Sequence, residues 1–386
     1  MNGALILILV VLALVGTAFG FRRAPSGAVR ATNSRAMLTM QALKVAPKKI
    51  LIVGGTRFSG LYLWEELHNR GHEITLFNRG KTALKKLPGE SDAAFEKRKS
   101  ETQFVKGDRK NHAEMSEKLG SLKFDVVYDM GGREESDTAS LVDMFGKTAD
   151  QFVYMSSAGV YKKSLTMPHM EGDAEDPKSR HKGKLETEAM LRLRGVPFTS
   201  IRPTYIYGPL NYNPLDEWFF TRLDAGKKLC IPGHGQHLTG LGHVKDLAVA
   251  MANVVGRDHT KGKIYNVQDT QSVTFEGLAK LCAQAMGKKG DEVDIKLYDK
   301  KMFDFGEKKA FPMREQHFFC GVENAMRDLD WKPQFDMVKG LKDSYENDFK
   351  LKKAAGKLNL DFETDDMIIN DQRIKAQMFD AIPKSG

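Results

Sequence analysis

Short, almost wholly apolar runs recur at 50–53 (ILIV), 74–77 (ITLF), 103–105 (QFV), 126–128 (VVY), 152–155 (FVYM) and 198–201 (FTSI). They are too short for helices and lack the alternation of a half-exposed strand, so the pattern predicts strands buried on both faces. Most of the stretches between them place apolar residues three and four apart, as helices that bury one side do. This alternation, from Lys49 to about Pro203, predicts a parallel sheet wound with helices on both faces. A charged insertion at 80–101 predicts a surface loop with a short helix. Beyond Pro203 the periodicity gives way to aromatic clusters, 211-NYNPLDEWFF-220 and 303-FDFGEKKAFPMREQHFF-319.

Composition changes this picture mainly at the N-terminus. The first 64 of 386 residues contain no Asp or Glu and open with an uncharged run from Ala4 to Val15 that ends in small residues at Gly16, Thr17 and Ala18. The run is too short to favour a permanent span and predicts a secretory-type signal peptide over 1–18. Residues 19–45 carry Arg22, Arg23, Arg30 and Arg35 without an acid, the chemistry of a transit peptide. Together they predict a bipartite leader to the stroma of a plastid with extra membranes. Residues 1–44 hold five of the 59 Lys and Arg, leaving 54 basic against 50 acidic residues, a net of +4. So small a charge does not support nucleic-acid binding by itself, and any anion site has to come from local clustering. The three cysteines, Cys230, Cys282 and Cys320, have no C-x-x-C spacing and predict buried free thiols.

Within the first alternating unit, 50-ILIVGGTRFSG-60 reads as strand, glycine turn and helix start, which predicts a Rossmann-like, doubly wound sheet of the extended short-chain dehydrogenase/reductase type. That unit spans 46–205, with 241–270 returning to it. A smaller C-terminal α/β domain over 206–350 and a partly ordered tail over 351–386 complete the expected organisation. Gly54, Gly55 and Gly60 keep the turn, but the middle position, where glycine lets the backbone approach a pyrophosphate, is Arg57. Asn78 and Arg79 end the second strand where an acid would read a ribose hydroxyl, so NADP fits better than NAD. Asp108 falls where an adenine contact would lie.

A second departure sits in 178-KSRHKGKLETE-188. In the dehydrogenase pattern a tyrosine stands four residues before Lys184, and here the position is Arg180. The chemistry needs a phenol that cycles its proton, which an always-protonated guanidinium does not do. Ser157 and Lys184 remain, so redox chemistry is disfavoured unless His181 substitutes for the phenol. Lys178, Arg180, Lys182 and Lys184 crowd the start of a helix, where cations oppose the macrodipole. A bound anion would relieve that conflict, as would the acidic run Glu171, Asp173, Glu175 and Asp176.

Motifs in order along the chain (GGTRFSG, LPGESD, KGDRK, FDVVYD, SSAGVY, DPKSRHKGKLETE, RPTYIYGPLNYNPLDEWFF, LGHVKDLA, KKAFPMREQHFF, WKPQFD) resemble the chloroplast stem-loop-binding proteins from about Lys48 to Asp366. That family is an atypical dehydrogenase/reductase branch with arginine at the positions of Arg57 and Arg180. The resemblance implies binding of plastid RNA (stem-loops, mRNA and rRNA), a role in transcript stability and processing, and endoribonuclease activity in some members with Mg as cofactor. It also implies association with ribosomes and the transcription machinery, and homo-oligomers or hetero-oligomers with a paralogue, away from membranes. It assigns no catalytic residue.

RNA would meet the 178–184 cluster and Arg57 through phosphates. Phe303, Phe305, Phe311, Phe318 and Phe319, interleaved with Lys308, Lys309 and Arg314, would offer stacking surfaces or core. Trp218, Phe219 and Phe220 read as core. Asp108, Asp129, Glu134 and Glu135 follow strand ends, where doubly wound folds place ligands. His243 and Asp246 read as structural. An NADP-linked epimerase, dehydratase or reductase using His181, and a scaffold without chemistry, remain open beside the RNA reading.

Overall fold

The computed structural model of the chain describes residues 45–371. The expected signal peptide and nearly all of the transit peptide lie outside the described residues, as do residues 372–386. Seven parallel strands form the main sheet: β1 (Lys49–Val53), β2 (Glu73–Asn78), β3 (Thr102–Lys106), β4 (Val126–Asp129), β5 (Gln151–Met155), β6 (Phe198–Pro203) and β10 (Lys263–Val267). Their order is β10-β6-β5-β4-β1-β2-β3. The six apolar runs are the first six of these strands, each longer by a residue or two.

Alternate residues of β1 serve opposite faces, as a pleated strand requires. Ile50 and Ile52 join Trp64 and Leu67 of α1 (Ser59–Asn69) and Leu247 and Met251 of α7 (Val244–Ala252). Leu51 and Val53 join the residues of α3 (His112–Leu119), α4 (Glu135–Phe145) and α5 (Lys182–Leu193). The insertion is less superficial than its charge suggested. Its helix α2 (Asp92–Ser100) buries Arg98, which pairs with Glu90 and lies 4.0 Å over the Trp64 ring.

Past Pro203 a second core forms around Tyr207, Trp218, Phe219, Phe220, Phe275 and Phe311. It is built from α6 (Asp216–Asp224), α8 (Phe275–Ala285) and two small sheets. One holds β7 (Tyr205–Tyr207), β9 (Leu238–His243) and β11 (Ser272–Thr274), the other β8 (Leu229–Pro232) and β12 (Ile295–Tyr298). In the described part of the expected tail, Asp365 takes both arms of Arg222 and Ile368 is buried.

The main sheet also encloses a buried ion pair, Arg202 with Glu188, to which the Ser200 hydroxyl donates at 2.6 Å. Removing Glu188 leaves the buried Arg202 guanidinium with the more exposed Glu175 as its remaining carboxylate partner. Glu188→Ala is expected to cost about 3–5 kcal/mol of unfolding free energy, read from urea midpoints. A loss under about 1 kcal/mol would show that Arg202 finds compensation elsewhere.

Candidate functional site

The strand order reverses between β1 and β4, so the C-terminal ends of these strands open a crevice. At the end of β1, Gly54 has φ +91°, a conformation side chains rarely adopt. A Cβ on Gly60 would come within 2.7 Å of Gly55 Cα, so the turn still packs tightly on α1. Arg57 projects into solvent, its guanidinium carbon 4.1 Å from the centre of the Tyr212 ring. Asn78 is occupied locally, its Oδ1 accepting from the Gly80 amide at 2.8 Å. Arg79 is exposed, and Asp108 accepts from the Lys110 amide at 3.1 Å.

The crevice wall at β4 is held by a group the sequence did not single out. Arg109 grips fully buried Asp129 with both arms, at 2.7 and 2.8 Å, and donates to the Asp137 carbonyl. Asp129 also accepts from the amides of Gly131 and Gly132 and from Thr138 Oγ1. Burial pushes the Asp129 carboxyl up, but Arg109, Thr138 and the Gly131 amide outweigh it and hold it well below the usual carboxylate range.

Behind the crevice the remnants of the catalytic dyad are tied into the fold. Lys184 donates to the Met155 carbonyl at 2.5 Å, and its ammonium sits 4.9 Å from the Tyr154 ring centre. Burial lowers it to about 8, despite the favourable field of Asp129. Ser157 Oγ caps the short turn at 158–160 by accepting from the Gly159 amide. His181, the proposed substitute acid, takes a proton donor instead of offering one, since Arg180 Nε donates to its Nε2 at 3.1 Å. Burial, then the charges of Arg180, Arg314, Lys184 and Arg133, push its pKa down to about 4. It is therefore neutral at pH 7, with its lone pair engaged. Lys184, Ser157 and His181 thus assemble no proton relay.

What does assemble is positive charge. Arg314 comes from the distant 303–319 segment, donates to the Gly159 carbonyl at 3.4 Å and lies 5.1 Å over Phe318. The His181 ring and the Arg314 guanidinium close on Gly159, where a Cβ would come within 2.6 Å of one and 2.9 Å of the other. Burial and Arg180 depress both Lys309 and Arg314, although Tyr205 and Asp176 pull Arg314 the other way. Among the described residues Arg57, Arg133, Lys178, Arg180, Lys182, Lys309 and Arg314 make no ion pair. The acidic run that might have neutralised them is used elsewhere: Glu175 pairs with Arg202, Glu171 accepts from Asn266 and Asn324, Asp173 accepts from the Met170 amide, and Asp176 from the Lys178 amide.

Other expected residues fall outside this cluster. Lys308 is ion-paired with Asp361 and Glu363. Phe311 and Phe318 are buried, and Phe303 and Phe305 stack on each other at 5.5 Å beside Tyr298. These rings serve packing rather than an exposed stacking surface, while Phe319 is half-buried and its carbonyl accepts from the His169 amide. His243 stacks on Phe335 at 4.0 Å, and Asp246 accepts from the Gln334 and Phe335 amides, both structural contacts. Sequence reasoning missed Arg109, Arg133 and Tyr212. The D-R pair at 108–109 beside a predicted strand end was the only signal available for the first.

The expected divalent metal does not fit these donors. Asp129 has its oxygens filled by Arg109, Thr138 and backbone amides, while Glu134 and Glu135 are exposed at the start of α4. Among the described residues no three His, Cys, Asp or Glu side chains form a metal-binding group. A dinucleotide fares differently: the glycine turn fits an anion at its mouth, but the engaged Lys184 and neutral His181 do not fit hydride transfer.

The model of the NAD dependent epimerase/dehydratase family matches residues 50–267. The chain is 52% identical over 324 residues to the chloroplast stem-loop binding protein of 41 kDa b of Arabidopsis thaliana, covering 84% of each. Among solved structures it resembles the dTDP-glucose 4,6-dehydratase of Bacillus anthracis in complex with NAD (19% identity, TM-score 0.64, 80% of this chain and 99% of that one). It also resembles the UDP-glucose 4-epimerase of Thermotoga maritima with UDP-glucose (18% identity, TM-score 0.63, 79% and 99%). At these identities the structural likeness concerns the fold.

His181 offers a test of this geometry. A pKa held near 4 in the folded state, against 6.5 unfolded, means the unfolded chain binds the extra proton in that window. The resulting destabilisation is absent above pH 6.5 and grows as pH falls toward 4. His181→Gln is expected to flatten the fall of the urea midpoint between these values, and an unchanged slope would place the titration elsewhere.

Proposed function

The chain belongs to the NAD dependent epimerase/dehydratase family and, within it, to the chloroplast stem-loop-binding proteins, and from that premise we propose that it is a plastid RNA-binding protein that grips stem-loop phosphates at the mouth of a disabled redox crevice. The observation that carries this reading is the gathering of Arg133, Arg180 and Arg314 around a neutral histidine, with Lys309 close enough to Arg180 to feel its charge and no carboxylate paired to any of the four among the described residues. Arg133, Arg180 and Lys309 are exposed and Arg314 is half-buried; cations crowded together without counter-ions repel one another, and a polyanion supplies the missing charge. The four arise from the loop after β4, the turn before α5 and the 303–319 segment, so the folded chain presents them together.

Support comes also from what the dyad no longer does. Arg180 has no proton to cycle and Lys184 is bonded to a strand carbonyl, so binding here is not coupled to hydride transfer. The stem-loop-binding relative supports RNA as the polyanion and the chloroplast as the compartment. Association with ribosomes and transcription machinery, and assembly with copies or a paralogue, belong to the same proposal. Because the carboxylates fit no metal, the reading is of RNA protection and presentation, with no cleavage step assigned to this site.

A salt series tests it. Binding of a stem-loop RNA to the protein should weaken linearly in log–log form with rising salt. Arg180→Ala with Arg314→Ala should make that line shallower by about 1 for each arginine. An unchanged slope would remove both from the interface. Steady turnover of NADP with any nucleotide sugar would favour the competing enzyme reading.

A further inference from the structure

Arg57 and Tyr212 form an exposed pair that the phosphate site leaves unused. Tyr212 is 62% exposed, with its ring under the Arg57 guanidinium and edge-on to Phe58 at 6.2 Å. An exposed tyrosine is ordinarily unremarkable on a mobile loop, but this loop is held from several sides. Asn211 donates to the Ile206 carbonyl and accepts from the Asn213 amide. The Leu210 amide donates to Asp348, Tyr62 to the Pro209 carbonyl and Lys352 to the Asn211 carbonyl.

The backbone is strained on both sides of the pair. Three non-glycine residues among those described have positive φ; of these, Phe58 at +38° directly follows Arg57 and Leu210 at +68° lies two residues before Tyr212. Strain of this kind persists only where surrounding contacts enforce it. Here it fixes a flat aromatic and guanidinium surface facing water, an arrangement that lowers the entropy cost of docking a planar ligand. Tyr212 also lines a cavity of about 1000 Å³ between the 85–90 stretch and α6, whose wall includes Trp218 and Thr221. Lys309 borders the same cavity and lies within the field of Arg180, so the cavity runs toward the cationic rim.

We propose that Arg57 and Tyr212 are a stacking platform for an unpaired nucleobase of the bound RNA, and that the adjoining cavity receives that nucleotide while its flanking phosphates reach Lys309 and Arg180. This rests on the RNA reading above and adds to it a preference for loops over paired stems. Every base has a π-face, so the platform accepts any base, whereas a base held in a duplex stack is not available to it. It also gives a role to the arginine in the glycine turn: its plane covers Tyr212, and its charge faces the ligand without a carboxylate partner.

The test compares a hairpin carrying 2-aminopurine in its loop with a perfect duplex of the same length, at one low salt concentration, using the full protein. Tyr212→Ala should weaken hairpin binding about tenfold, abolish the fluorescence change of the loop base and leave duplex binding unaltered. Tyr212→Trp should preserve all three. Arg57→Lys, which keeps charge but loses the plane, should weaken the hairpin and spare the duplex. Circular dichroism of each variant guards against misfolding. Equal weakening on both RNAs, or a hairpin indifferent to Tyr212→Ala, overturns the platform while the phosphate site stands. A wild-type protein that binds neither RNA overturns both.

Discussion

The bidentate grip of Arg109 on Asp129 sets the character of the whole crevice. One guanidinium ties the loop after β3 to the end of β4, and through the Asp137 carbonyl to the first turn of α4. Glycines at 131 and 132 let the chain fold back over it; a Cβ on Gly132 would come within 2.6 Å of the Asp129 carboxylate. The same pair removes from circulation the one carboxylate that points into the strand ends from β4. A buried pair of this geometry is nearly neutral to its surroundings, so it offers little to offset other cations nearby.

The electrostatics of the rim follow from that. Arg133 emerges one residue after the glycine fold, Arg180 stands just before α5, and Arg314 comes from the 303–319 segment. Each depresses His181, which stays uncharged and accepts a hydrogen bond from Arg180. A neutral imidazole among guanidiniums is a packing solution: it separates like charges while supplying an acceptor. Had the position kept a phenol, Lys184 would have had a partner to tune. Without one, its ammonium turns to the Met155 carbonyl and the Tyr154 face, and the old catalytic lysine becomes a strut. One replacement thus changes both what the mouth can bind and what its interior can do.

Much of the fold was legible because buried parallel strands leave short apolar runs that little else produces, and all six runs became strands. The crowding of 178–184 was also legible, since cations at a helix N-terminus conflict with a local rule. What the sequence did not show depended on contacts between distant segments. Lys308 looked free until Asp361 and Glu363 arrived from more than fifty residues away. Phe311 and Phe318 lie in a segment with no period, so nothing in the spacing separated core from surface. Arg109 and Tyr212 are ordinary residues whose meaning comes from a buried partner in one case and an arginine stacked upon it in the other.

The two arginines in a dinucleotide fold are best understood together. In the redox arrangement, glycine at the turn and tyrosine on the helix serve one ligand, bringing a pyrophosphate close and moving a proton beside it. Arg57 and Arg180 place permanent charge at both stations, and neither can be satisfied from within: the acids nearby are engaged with Arg202, with amides and with Arg109. A compact dinucleotide would have to meet one arginine where backbone approach is needed and the other where a proton is needed. A longer, flexible anion with spaced phosphates and unstacked bases meets neither obstacle. On the proposed reading, the arginines that leave the crevice without a proton-cycling phenol are those that suit it to a folded strand of RNA.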